Sequence, residues 1–390
     1  MSKKVLHFIR KNSQLKSSFI QNQIVNHIDF EPTVIFRETR DKEYDGGFAE
    51  NISRDIPLIN LGEDETPFER RLFRIFKQLS RRQKQKLLDI VTGMNPDILH
   101  FHYGTDAAIF LKSLQPLEIP KVVSFYGYDS SSFLKRFFGL GKIHLQKHVY
   151  PYADMVFAMS PDMKNDIVAS GCPGEKVLLH YYGTDVWRFR QEHDYINHEG
   201  CRFLIISGLV PQKGHMFILK AISRARQINK RISLTIVGEG PLRDDIETFV
   251  RQNELSRVVA IPGPVVYGSN AHQRYFSEHD VFIHPSVTDV NGDKEGIPGA
   301  IVEAMAAGLP VISTRHAGIP YIISNEQTGL LVDEWDIDAL EKAMLRLAES
   351  SDLRKRIGLE AQKHALANLD LKKKEIELER IYTELLQDRA

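Results

Sequence analysis

Two glutamates, Glu295 and Glu303, stand eight positions apart in the stretch EGIPGAIVEAMAAGLPVIST, residues 295–314. The loop VTDVNGDKEGIPG carries Glu295, and the apolar run AIVEAMAAG predicts a short helix that carries Glu303 and ends at Gly308. Gly299 lets a ligand approach the backbone, and the start of the helix offers unpaired amides and a positive dipole end. A diphosphate bound there would leave Glu295 to reach an attached sugar and Glu303 to reach a ribose diol. The alternative is a solvated loop residue and an exposed helix residue.

Three other residues with suitable chemistry follow predicted strands. Lys213 lies in LIISGLVPQKGHMFILKAI, residues 204–222, where it opens a predicted helix and can place a compact positive charge on phosphate oxygens. The alternative is an ordinary surface lysine. Gly238 and Gly240 bracket a turn in IVGEGPLRDDI, residues 236–246, which is a common pattern by itself. If these strands belong to one domain, the three segments converge on one pocket.

The elements that must position these residues alternate regularly along the chain. Short apolar runs typical of buried parallel strands are separated by segments with helical periodicity. The predicted strands lie at residues 4–9, 97–102, 121–126, 154–159, 176–181, 202–207, 233–238, 257–262, 280–285 and 310–314. The rhythm restarts after the polar stretch 188–200, which predicts two Rossmann-like, doubly wound α/β domains facing a ligand-binding cleft. We place the N-terminal domain at 1–187, the C-terminal domain at 188–370, and at 371–390 a C-terminal helix that returns to the N-terminal domain.

Composition describes a folded protein without a charge bias. Of 390 residues, 42% are apolar and 26% charged, and Lys plus Arg equals Asp plus Glu at 51 each, which gives no support for a nucleic-acid partner. Cys172 and Cys201 form no disulfide framework or metal pattern, which favours a reducing compartment. The sequence has no signal-peptide core and no apolar run of about 18 residues. We expect a cytoplasmic protein that meets a membrane only by lying on its inner face.

Two patterns resemble metal sites without completing one. DVNGDKEG alternates oxygen ligands like a calcium loop, but its sixth and twelfth positions are Lys294 and Ala300 instead of glycine and glutamate. His100 and His102 share one face of a predicted strand, and spacing nominates no third ligand. We expect no metal and no cofactor besides the substrates.

Several motifs point to one enzyme family. They are EGIPGAIVE with the following AMAAGLPVISTRHAGIPYII, VPQKG, GEGPLR and GLLV, and in the first half SFYGYD and SPDMKNDIVASGCPGEKVLLHYYGTD. Together they resemble a family-four retaining glycosyltransferase of the two-Rossmann-domain (GT-B) architecture, similar to bacterial exopolysaccharide enzymes of the colanic acid and amylovoran type. The resemblance is strong over residues 204–332 and thins between residues 30 and 95. This architecture resembles enzymes that need no divalent ion.

The resemblance implies roles for particular residues. Glu295 would contact the donor sugar, Glu303 would hold the nucleotide ribose, and Lys213 would neutralise the departing diphosphate. The implied donor-binding residues are Gly208, Lys213, Gly238, Gly240, Glu295, Gly299, Ala300 and Glu303, with Lys213 and Glu295 catalytic. The implied acceptor-binding residues are Ser17, Phe19, Tyr126, Gly127 and Asp129.

Three departures from the family pattern bear on these roles. Gly208 stands where most members have a phosphate-binding arginine, so half of the usual cationic clamp is missing. Tyr126 stands where a histidine usually lines the acceptor side, and a phenol does not titrate near neutrality. RKNSQLKSSFIQNQI replaces the usual N-terminal glycine-rich loop with an S-x-x-F-I variant, in which Ser17 has the alternative of being a plain helix N-cap.

A basic and apolar segment, FERRLFRIFKQLSRRQKQKLL, spans residues 68–88. Its apolar residues recur at helical spacing among many arginines and lysines, so the helix can lie on an anionic bilayer and hold a lipid-linked acceptor. FLKRFFGLGK, residues 133–142, is a second such segment. The alternative is a domain helix with its apolar side in the core.

We therefore expect a retaining glycosyltransferase that moves a sugar from a nucleotide diphosphate donor to a glycan or polyprenyl-diphosphate-linked acceptor in surface or exopolysaccharide biosynthesis. One alternative is a sugar transferase with a soluble acceptor. Another, motivated by Gly208 and Tyr126, is a non-catalytic scaffold subunit that binds a nucleotide sugar.

Overall fold

The computed structural model of the protein describes residues 2–39, 56–195 and 200–389. The chain divides into two compact units. The first comprises Met1–Gly183 and Leu371–Ala390, and the second comprises Thr184–Asp370. The predicted polar stretch 188–200 includes residues 196–199, which lie outside the described residues.

Seven strands of the described residues form a parallel sheet in the first unit. They are β1 Lys3–Phe8, β2 Phe30–Phe36, β3 Leu58–Asn60, β4 Ile98–His102, β5 Lys121–Ser124, β6 Met155–Ala158 and β7 Val177–Leu179. Their order across the sheet is β3-β2-β1-β4-β5-β6-β7, and each neighbouring pair is parallel. The order of the strands reverses between β1 and β4. In open parallel sheets, ligands bind beyond the carboxyl ends of the strands at such a point.

The second unit repeats this arrangement with six strands in its described part. They are β8 Cys201–Ile206, β9 Ile232–Val237, β10 Val259–Gly263, β11 Val281–His284, β12 Val311–Thr314 and β13 Leu330–Val332. Their order is β10-β9-β8-β11-β12-β13, and the paired strands are again parallel. The reversal falls between β8 and β11. A parallel sheet has helices on both faces, which is why these strands are apolar along their length.

Helices connect and cover the strands. They are α1 Ser18–Val25, α2 Pro67–Phe76, α3 Arg81–Met94, α4 Gly104–Phe110, α5 Ser132–His148, α6 Pro161–Ala169, α7 Val186–Phe189, α8 His215–Ile228, α9 Arg243–Gln252, α10 Asn270–Ser277, α11 Gly299–Ala306, α12 Ile319–Ile322, α13 Ile337–Glu349, α14 Ser351–Asn368 and α15 Leu371–Gln387. Among the described helices, none combines the length and the apolar composition that crossing a lipid bilayer requires.

The last helix, α15, packs in the core of the first unit. Leu378, Ile381 and Tyr382 are buried there in one cluster with Val5 of β1 and Ile98 of β4. Burying an aliphatic side chain of this size stabilises a protein by about 1.5–3 kcal/mol. These contacts hold the end of the chain on the sheet that contains its beginning.

All ten predicted strands are present, and the predicted fold class, two doubly wound parallel α/β sheets with a helical C-terminus, is confirmed. Within the described residues, three strands were not predicted: β2, β3 and β13. β2 contains Pro32, which cannot donate a hydrogen bond to a neighbouring strand and so argues against a strand assignment. β3 and β13 have three residues each, too few for a periodic pattern.

The segment 68–88 forms two helices instead of one. The residue after α2, Lys77, adopts a left-handed conformation with φ 52°, and Ser80 caps α3 by accepting the amide of Gln83. A left-handed residue ends a helix because the next amide can no longer follow the helical path. The prediction of a continuous helix was therefore wrong.

Most of the apolar side of α2 faces away from the core. Phe68, Ile75 and Phe76 are 70%, 63% and 62% exposed, whereas Phe73 and Leu79 are buried. The alternative that placed this apolar side in the core is therefore wrong for the three exposed residues.

Candidate active site

Three loops of the second unit meet at the carboxyl edge of its sheet. The Leu209 amide, after β8, donates to the Glu239 carbonyl, after β9, at 2.9 Å. The Val287 amide, after β11, donates to the Gln212 carbonyl, also at 2.9 Å. The loop after β8 is therefore bonded to both of its neighbours, and the structure brings the three segments singled out in the sequence to one edge.

Glycines make these close approaches possible. A Cβ atom on Gly238 would lie 1.9 Å from the Ser207 carbonyl oxygen, and one on Gly214 would lie 2.0 Å from the Pro285 carbonyl oxygen. Such contacts would push backbone against backbone, so no other residue fits without moving a loop. Gly240 is restricted in the same way by the backbone of Leu209, at 2.6 Å.

Lys213 and Glu295 form an ion pair at this edge. Lys213 Nζ lies 2.7 Å from Glu295 Oε1, and the two side chains are 18% and 14% exposed. Both residues were predicted as catalytic, from separate motifs. Partial burial strengthens the attraction between their charges and still leaves the pair open to a charged ligand.

His316 and Glu334 hold Glu295 in place, and the sequence analysis missed both. The Glu295 amide donates to His316 Nε2 at 3.1 Å, so Nδ1 carries the proton of the neutral ring and donates to Glu334 Oε1 at 2.6 Å. Glu334 also accepts the Thr288 amide at 2.7 Å. The only sequence signal was a histidine in STRHAGIP, directly after β12.

Glu303 is buried in α11, so the alternative of an exposed helix residue is wrong. Burial raises the pKa of its carboxyl group to about 8, against the opposing effect of a hydrogen bond from Tyr267. His272 Nε2 lies 3.7 Å from Glu303 Oε2. Because burial lowers the pKa of His272 to about 4, that ring is neutral and adds no positive charge. Its Nδ1 accepts the Gly268 amide at 3.1 Å, so Nε2–H faces the carboxyl group.

The start of α11 lies beside this buried acid. Gly299 is the first residue of the helix, Pro298 precedes it, and Ala300 follows. A Cβ atom on Gly299 would lie 3.7 Å from Glu303 Oε1, so the carboxyl group reaches back over the first turn. The first amides of a helix have no acceptor within the helix and are available to an anion.

Gly208 is exposed, and its position tolerates a Cβ atom. The nearest atom to a Cβ built on it is the Glu239 carbonyl oxygen at 3.9 Å, an ordinary contact distance. In contrast to Gly238, the backbone here does not require glycine. A side chain can therefore begin at this position without moving the backbone.

In the first unit, aromatic residues gather at the carboxyl edge of the sheet. The ring centroids of Phe19 and Tyr103 each lie 4.8 Å from that of Tyr126, and the centroid of Tyr182 lies 6.2 Å away. The Tyr126 hydroxyl bonds to His102 Nδ1 at 2.6 Å. Burial raises the pKa of Tyr126 well above its ordinary value, so its hydroxyl stays protonated.

Two more predicted acceptor-side residues shape the backbone beneath Tyr126. Asp129 is fully buried and accepts the amides of Gly104, Tyr126 and Gly127 at 2.7, 3.1 and 3.3 Å. Burial raises its pKa to about 6, against those bonds. Asp129 therefore ties the loop after β5 to the start of α4.

Ser17 occupies the N-cap position of α1, at the same edge of the sheet as Phe19. Its side chain makes no capping hydrogen bond. The alternative of a plain helix N-cap is therefore wrong for its hydroxyl group, while its position at the helix start is as predicted.

Two buried groups in the first unit have metal-ligand side chains within reach of one another. They are His7, His100 and His102, and His27, Glu375 and Glu379. The three rings of the first group are centred 4.7–5.3 Å apart and inclined by only 19–40°. Two of their nitrogens, His7 Nδ1 and His102 Nε2, lie 2.9 Å apart, which is a hydrogen-bond distance. His100 and His102 were singled out in the sequence, but His7 joins them only through strand register, because His7 of β1 pairs with His100 of β4.

A groove of about 830 Å³ opens on the surface of the first unit. Ile75 and Phe76 of α2 line it together with Leu140 of α5, and Arg74 and Arg136 lie among them. The two basic and apolar segments identified in the sequence therefore line one surface. Leu140 is 57% exposed and the neighbouring Phe138 fully exposed.

Solved structures share this fold. Sucrose-phosphate synthase from Thermosynechococcus elongatus gives a TM-score of 0.79 at 17% identity, over 99% of this chain and 100% of that chain. The Anabaena protein Alr3699/HepE, solved in complex with UDP, gives 0.78 at 15% identity, over 98% of this chain and 100% of that one. The two parallel sheets and the helical C-terminus are those of a GT-B protein.

Family models match both halves of the chain. Residues 29–188 match the model described as Glycosyltransferase Family 4, and residues 200–350 match that of Glycosyl transferases group 1. The chain belongs to this family of glycosyltransferases.

Two curated relatives have names that refer to polysaccharide biosynthesis. The amylovoran biosynthesis glycosyltransferase AmsK of Erwinia amylovora is 31% identical over 258 residues, which are 65% of this chain and 61% of AmsK. WcaL of Escherichia coli, named for colanic acid biosynthesis, is 30% identical over 267 residues, 68% of this chain and 64% of WcaL. The chain thus spans less than two thirds of the length of these relatives.

Proposed function

We propose that the protein transfers a sugar from a nucleotide diphosphate donor to a glycan or lipid-linked acceptor, with retention at the anomeric carbon, in surface or exopolysaccharide biosynthesis. The observation that carries this proposal is the Lys213–Glu295 ion pair at 2.7 Å, at the same sheet edge as the start of α11. Membership of the glycosyltransferase family supports the reaction, and the names of AmsK and WcaL support the process. Structures of the Anabaena protein with UDP and with UDP-glucose support a nucleotide-sugar donor.

The donor binds at the edge of the second unit. Its diphosphate accepts hydrogen bonds from the amides of Gly299 and Ala300. Lys213 leaves Glu295 and pairs with the phosphate oxygens. Glu295 is released from its ion pair but still held through His316, and it accepts hydrogen bonds from hydroxyl groups of the sugar. Gly238 and Gly240 let the backbone come close to the ligand.

Glu303 holds the ribose of the nucleotide. A carboxylate can accept hydrogen bonds from two neighbouring hydroxyl groups, and its position beside Gly299 puts it next to a diphosphate at the helix start. In the free protein its pKa of about 8 keeps the group mostly protonated at neutral pH. Hydroxyl donors favour the ionised form, so donor binding lowers this pKa.

Catalysis comes from stabilising the leaving group. As the glycosidic bond breaks, the sugar acquires oxocarbenium character and negative charge collects on the diphosphate. In the donor complex, Lys213 and the helix amides face that charge before the bond breaks, and groups placed in this way are each worth about 10²- to 10³-fold in rate. In this proposal they do so without a divalent ion.

The acceptor binds at the aromatic edge of the first unit. Phe19, Tyr103 and Tyr182 offer ring faces to a sugar, and the Tyr126 hydroxyl group supplies a hydrogen bond. Asp129, whose oxygens are occupied by backbone amides, and Gly127 position Tyr126 from beneath. Ser17, with a side chain that does not cap α1, adds a hydroxyl group near the same edge.

The groove between α2 and α5 seats the protein on an anionic membrane. Exposed aromatic and aliphatic side chains beside arginines and lysines are what an interfacial surface requires. A lipid-linked acceptor is then presented to the unit that carries Tyr126.

Calorimetric titration with a panel of nucleotide diphosphate sugars tests this function, with donor hydrolysis measured on the same samples. One donor should bind selectively, and Lys213→Ala and Glu303→Ala should each weaken it by about tenfold or more. Lys220→Ala is the matched control, because Lys220 is exposed on α8.

The outcomes separate the candidates. The absence of binding to any donor would overturn the proposal. Binding without hydrolysis, and without transfer to any polysaccharide acceptor, would instead favour the scaffold subunit, for which Gly208 is the structural argument. Transfer to a soluble glycan with no membrane binding would favour the soluble-acceptor enzyme.

A further inference from the structure

A chain of hydrogen bonds crosses the core of the first unit from α15 to Tyr126. It runs through Glu375 and Glu379, His27, His7 and His102 to the Tyr126 hydroxyl group. His27 Nδ1 lies 2.6 Å from Glu375 Oε1 and 3.2 Å from Glu379 Oε1. His27 Nε2 lies 2.8 Å from His7 Nε2.

The chain continues on the other side of His7. His7 Nδ1 lies 2.9 Å from His102 Nε2, and His102 Nδ1 lies 2.6 Å from the Tyr126 hydroxyl oxygen. That oxygen is 3.2 Å from Gln23 Oε1, which can only accept. All three histidines are buried, so water does not supply other partners.

One proton decides which partner donates in every hydrogen bond of this chain. Ionised glutamates only accept, so His27 Nδ1 must donate to them. If His27 is charged, Nε2 also carries a proton and donates to His7 Nε2. A neutral His7 ring then carries its proton on Nδ1 and donates to His102, which in turn donates from Nδ1 to Tyr126. The Tyr126 hydroxyl proton is left free to point to Gln23.

A neutral His27 whose Nδ1 still donates to an ionised glutamate reverses every bond. Its Nε2 would then accept from His7 Nε2–H, and His102 would donate from Nε2 to His7 Nδ1. His102 Nδ1 would become an acceptor, so the Tyr126 hydroxyl proton would be used up in the bond to His102. Nothing would then be left for Tyr126 to donate elsewhere.

The groups around His27 favour the charged state. Facing it are Glu375, Glu379 and Tyr382 from α15, His7 from β1, His100 and His102 from β4, and Phe30 from β2. Although burial acts against the charge, the two glutamates raise the pKa of His27 to about 9. The pKa values of His7 and His102 are lowered by burial and then by neighbouring histidines, so these two rings stay neutral.

We propose that the charge on His27, held by Glu375 and Glu379 of the C-terminal helix, fixes the direction of this chain and thereby sets the Tyr126 hydroxyl group as a hydrogen-bond donor. Given the proposed function, the recipient in the complex is an acceptor oxygen. His27, His7 and His102 are then positioning residues, which act on the substrate through Tyr126. The C-terminal helix thus controls a hydroxyl group on the acceptor side.

Histidine-selective ¹⁵N NMR of the full-length protein tests the proposal, since protonated and unprotonated ring nitrogens resonate far apart. At pH 7 we expect both nitrogens of His27 to be protonated, and Nδ1 alone in His7 and His102. In the Glu375→Gln variant, Glu379 still accepts from His27 Nδ1, but His27 should lose its charge at a lower pH than in the unchanged protein. Once it is neutral, the protons of His7 and His102 should move to Nε2. Glu384→Gln, an exposed change on the same helix, should alter nothing.

Two NMR results would overturn the proposal. One is Nε2 protonation of His102 in the unchanged protein, and the other is an unchanged His102 tautomer in a variant with neutral His27. Stoichiometric zinc in the purified protein would also do so, because a metal would occupy the lone pairs. If the Glu375→Gln variant does not fold, raising the pH of the unchanged protein above the His27 pKa of about 9 should produce the same inversion.

Kinetics connect the chain to the reaction. At a pH where its His27 is neutral, the Glu375→Gln variant should raise the KM for the acceptor about tenfold, the size expected for one lost hydrogen bond, and leave the KM for the donor unchanged. In a Tyr126→Phe background it should have no further effect on the acceptor KM, and an equal effect there would contradict the proposal. A protein that transfers no sugar would refute the proposed function, while the NMR result would still decide the direction of the chain.

Discussion

Glu303 Oε1 lies 3.7 Å from the point that a Cβ atom on Gly299 would occupy, so a buried acid covers the first turn of α11. The two residues are one helical turn apart, and both lie in the motif EGIPGAIVE, so the sequence alone gives their spacing. What the structure adds is burial, and burial raises the pKa of Glu303 to about 8. The group is therefore mostly neutral when the site is free, although it must accept hydrogen bonds when a ribose is bound.

Donor binding should therefore release protons. Ribose hydroxyl groups stabilise the carboxylate, so the pKa of Glu303 falls on binding, and at pH 7 up to one proton leaves for each donor bound. The release should be largest between the lowered pKa and about 8, and vanish above that range, where the free site is already ionised. Calorimetric titration in buffers of different ionisation enthalpy measures it directly.

Glu303→Gln should abolish the buffer dependence, and the exposed Glu349→Gln should leave it unchanged. Proton uptake on binding, or release that persists in Glu303→Gln, would show that another group titrates.

Lys213 and Glu295 should act as one unit in catalysis. Lys213→Ala and Glu295→Gln are each expected to lower kcat by about 10²- to 10³-fold, because each removes charge or orientation at the leaving group. Because the side chains touch at 2.7 Å, the double variant should be little worse than the poorer single variant. Initial rates of donor turnover measure this, with Lys220→Ala as the control. Fully additive losses would mean that the two residues act on separate steps.

Gly208→Arg should restore the missing half of the cationic clamp. A Cβ atom at this exposed position meets the Glu239 carbonyl oxygen only at an ordinary contact distance of 3.9 Å, so a side chain can begin here without moving a loop. We expect the affinity for diphosphate-containing ligands to rise about tenfold, since a charged hydrogen bond to phosphate is worth roughly 1.5–3 kcal/mol. Affinity for the nucleoside alone should not change.

Gly208→Gln is the matched control, as it adds length without charge and should not tighten binding. An equal gain from both variants would show that size alone matters. Gly238→Ala, by contrast, should destabilise the protein by about 1–3 kcal/mol, because its Cβ atom would lie 1.9 Å from the Ser207 carbonyl oxygen.

Local pattern sufficed for much of the fold, and it failed where contacts between distant segments decide. The ten predicted strands are runs whose apolar character comes from burial on both faces. β2 was not predicted because Pro32 is a poor strand residue by itself. In the structure, Phe30 of this strand packs against α15, which lies far away in the sequence. The end of α2 at Lys77 was missed for a similar reason, since a lysine gives no signal of a left-handed backbone.

The site shows the same division. Glu295, Glu303 and Lys213 stood in motifs whose spacing is local, so they could be named from the sequence. The hydrogen-bond chain through His7, His27 and His102 depends on strand register and on one distant helix, neither of which a single motif contains. His316 was missed because its role is to hold a neighbour's backbone amide, and no side-chain pattern records that.

Membrane binding should depend on the apolar and the basic residues of α2 and of the groove beside it. Replacing Phe68, Ile75 and Phe76 by serine removes apolar side chains that are 62–70% exposed, so it should weaken flotation with liposomes and leave the fold intact. Arg74→Gln with Lys77→Gln should weaken binding to anionic liposomes in particular, and added salt should weaken the unchanged protein in the same way. Ile376→Ser is the control, because Ile376 is 54% exposed on α15, away from the groove. Flotation that is insensitive to both sets of changes would assign the groove another occupant, and no flotation at all would favour an enzyme with a soluble acceptor.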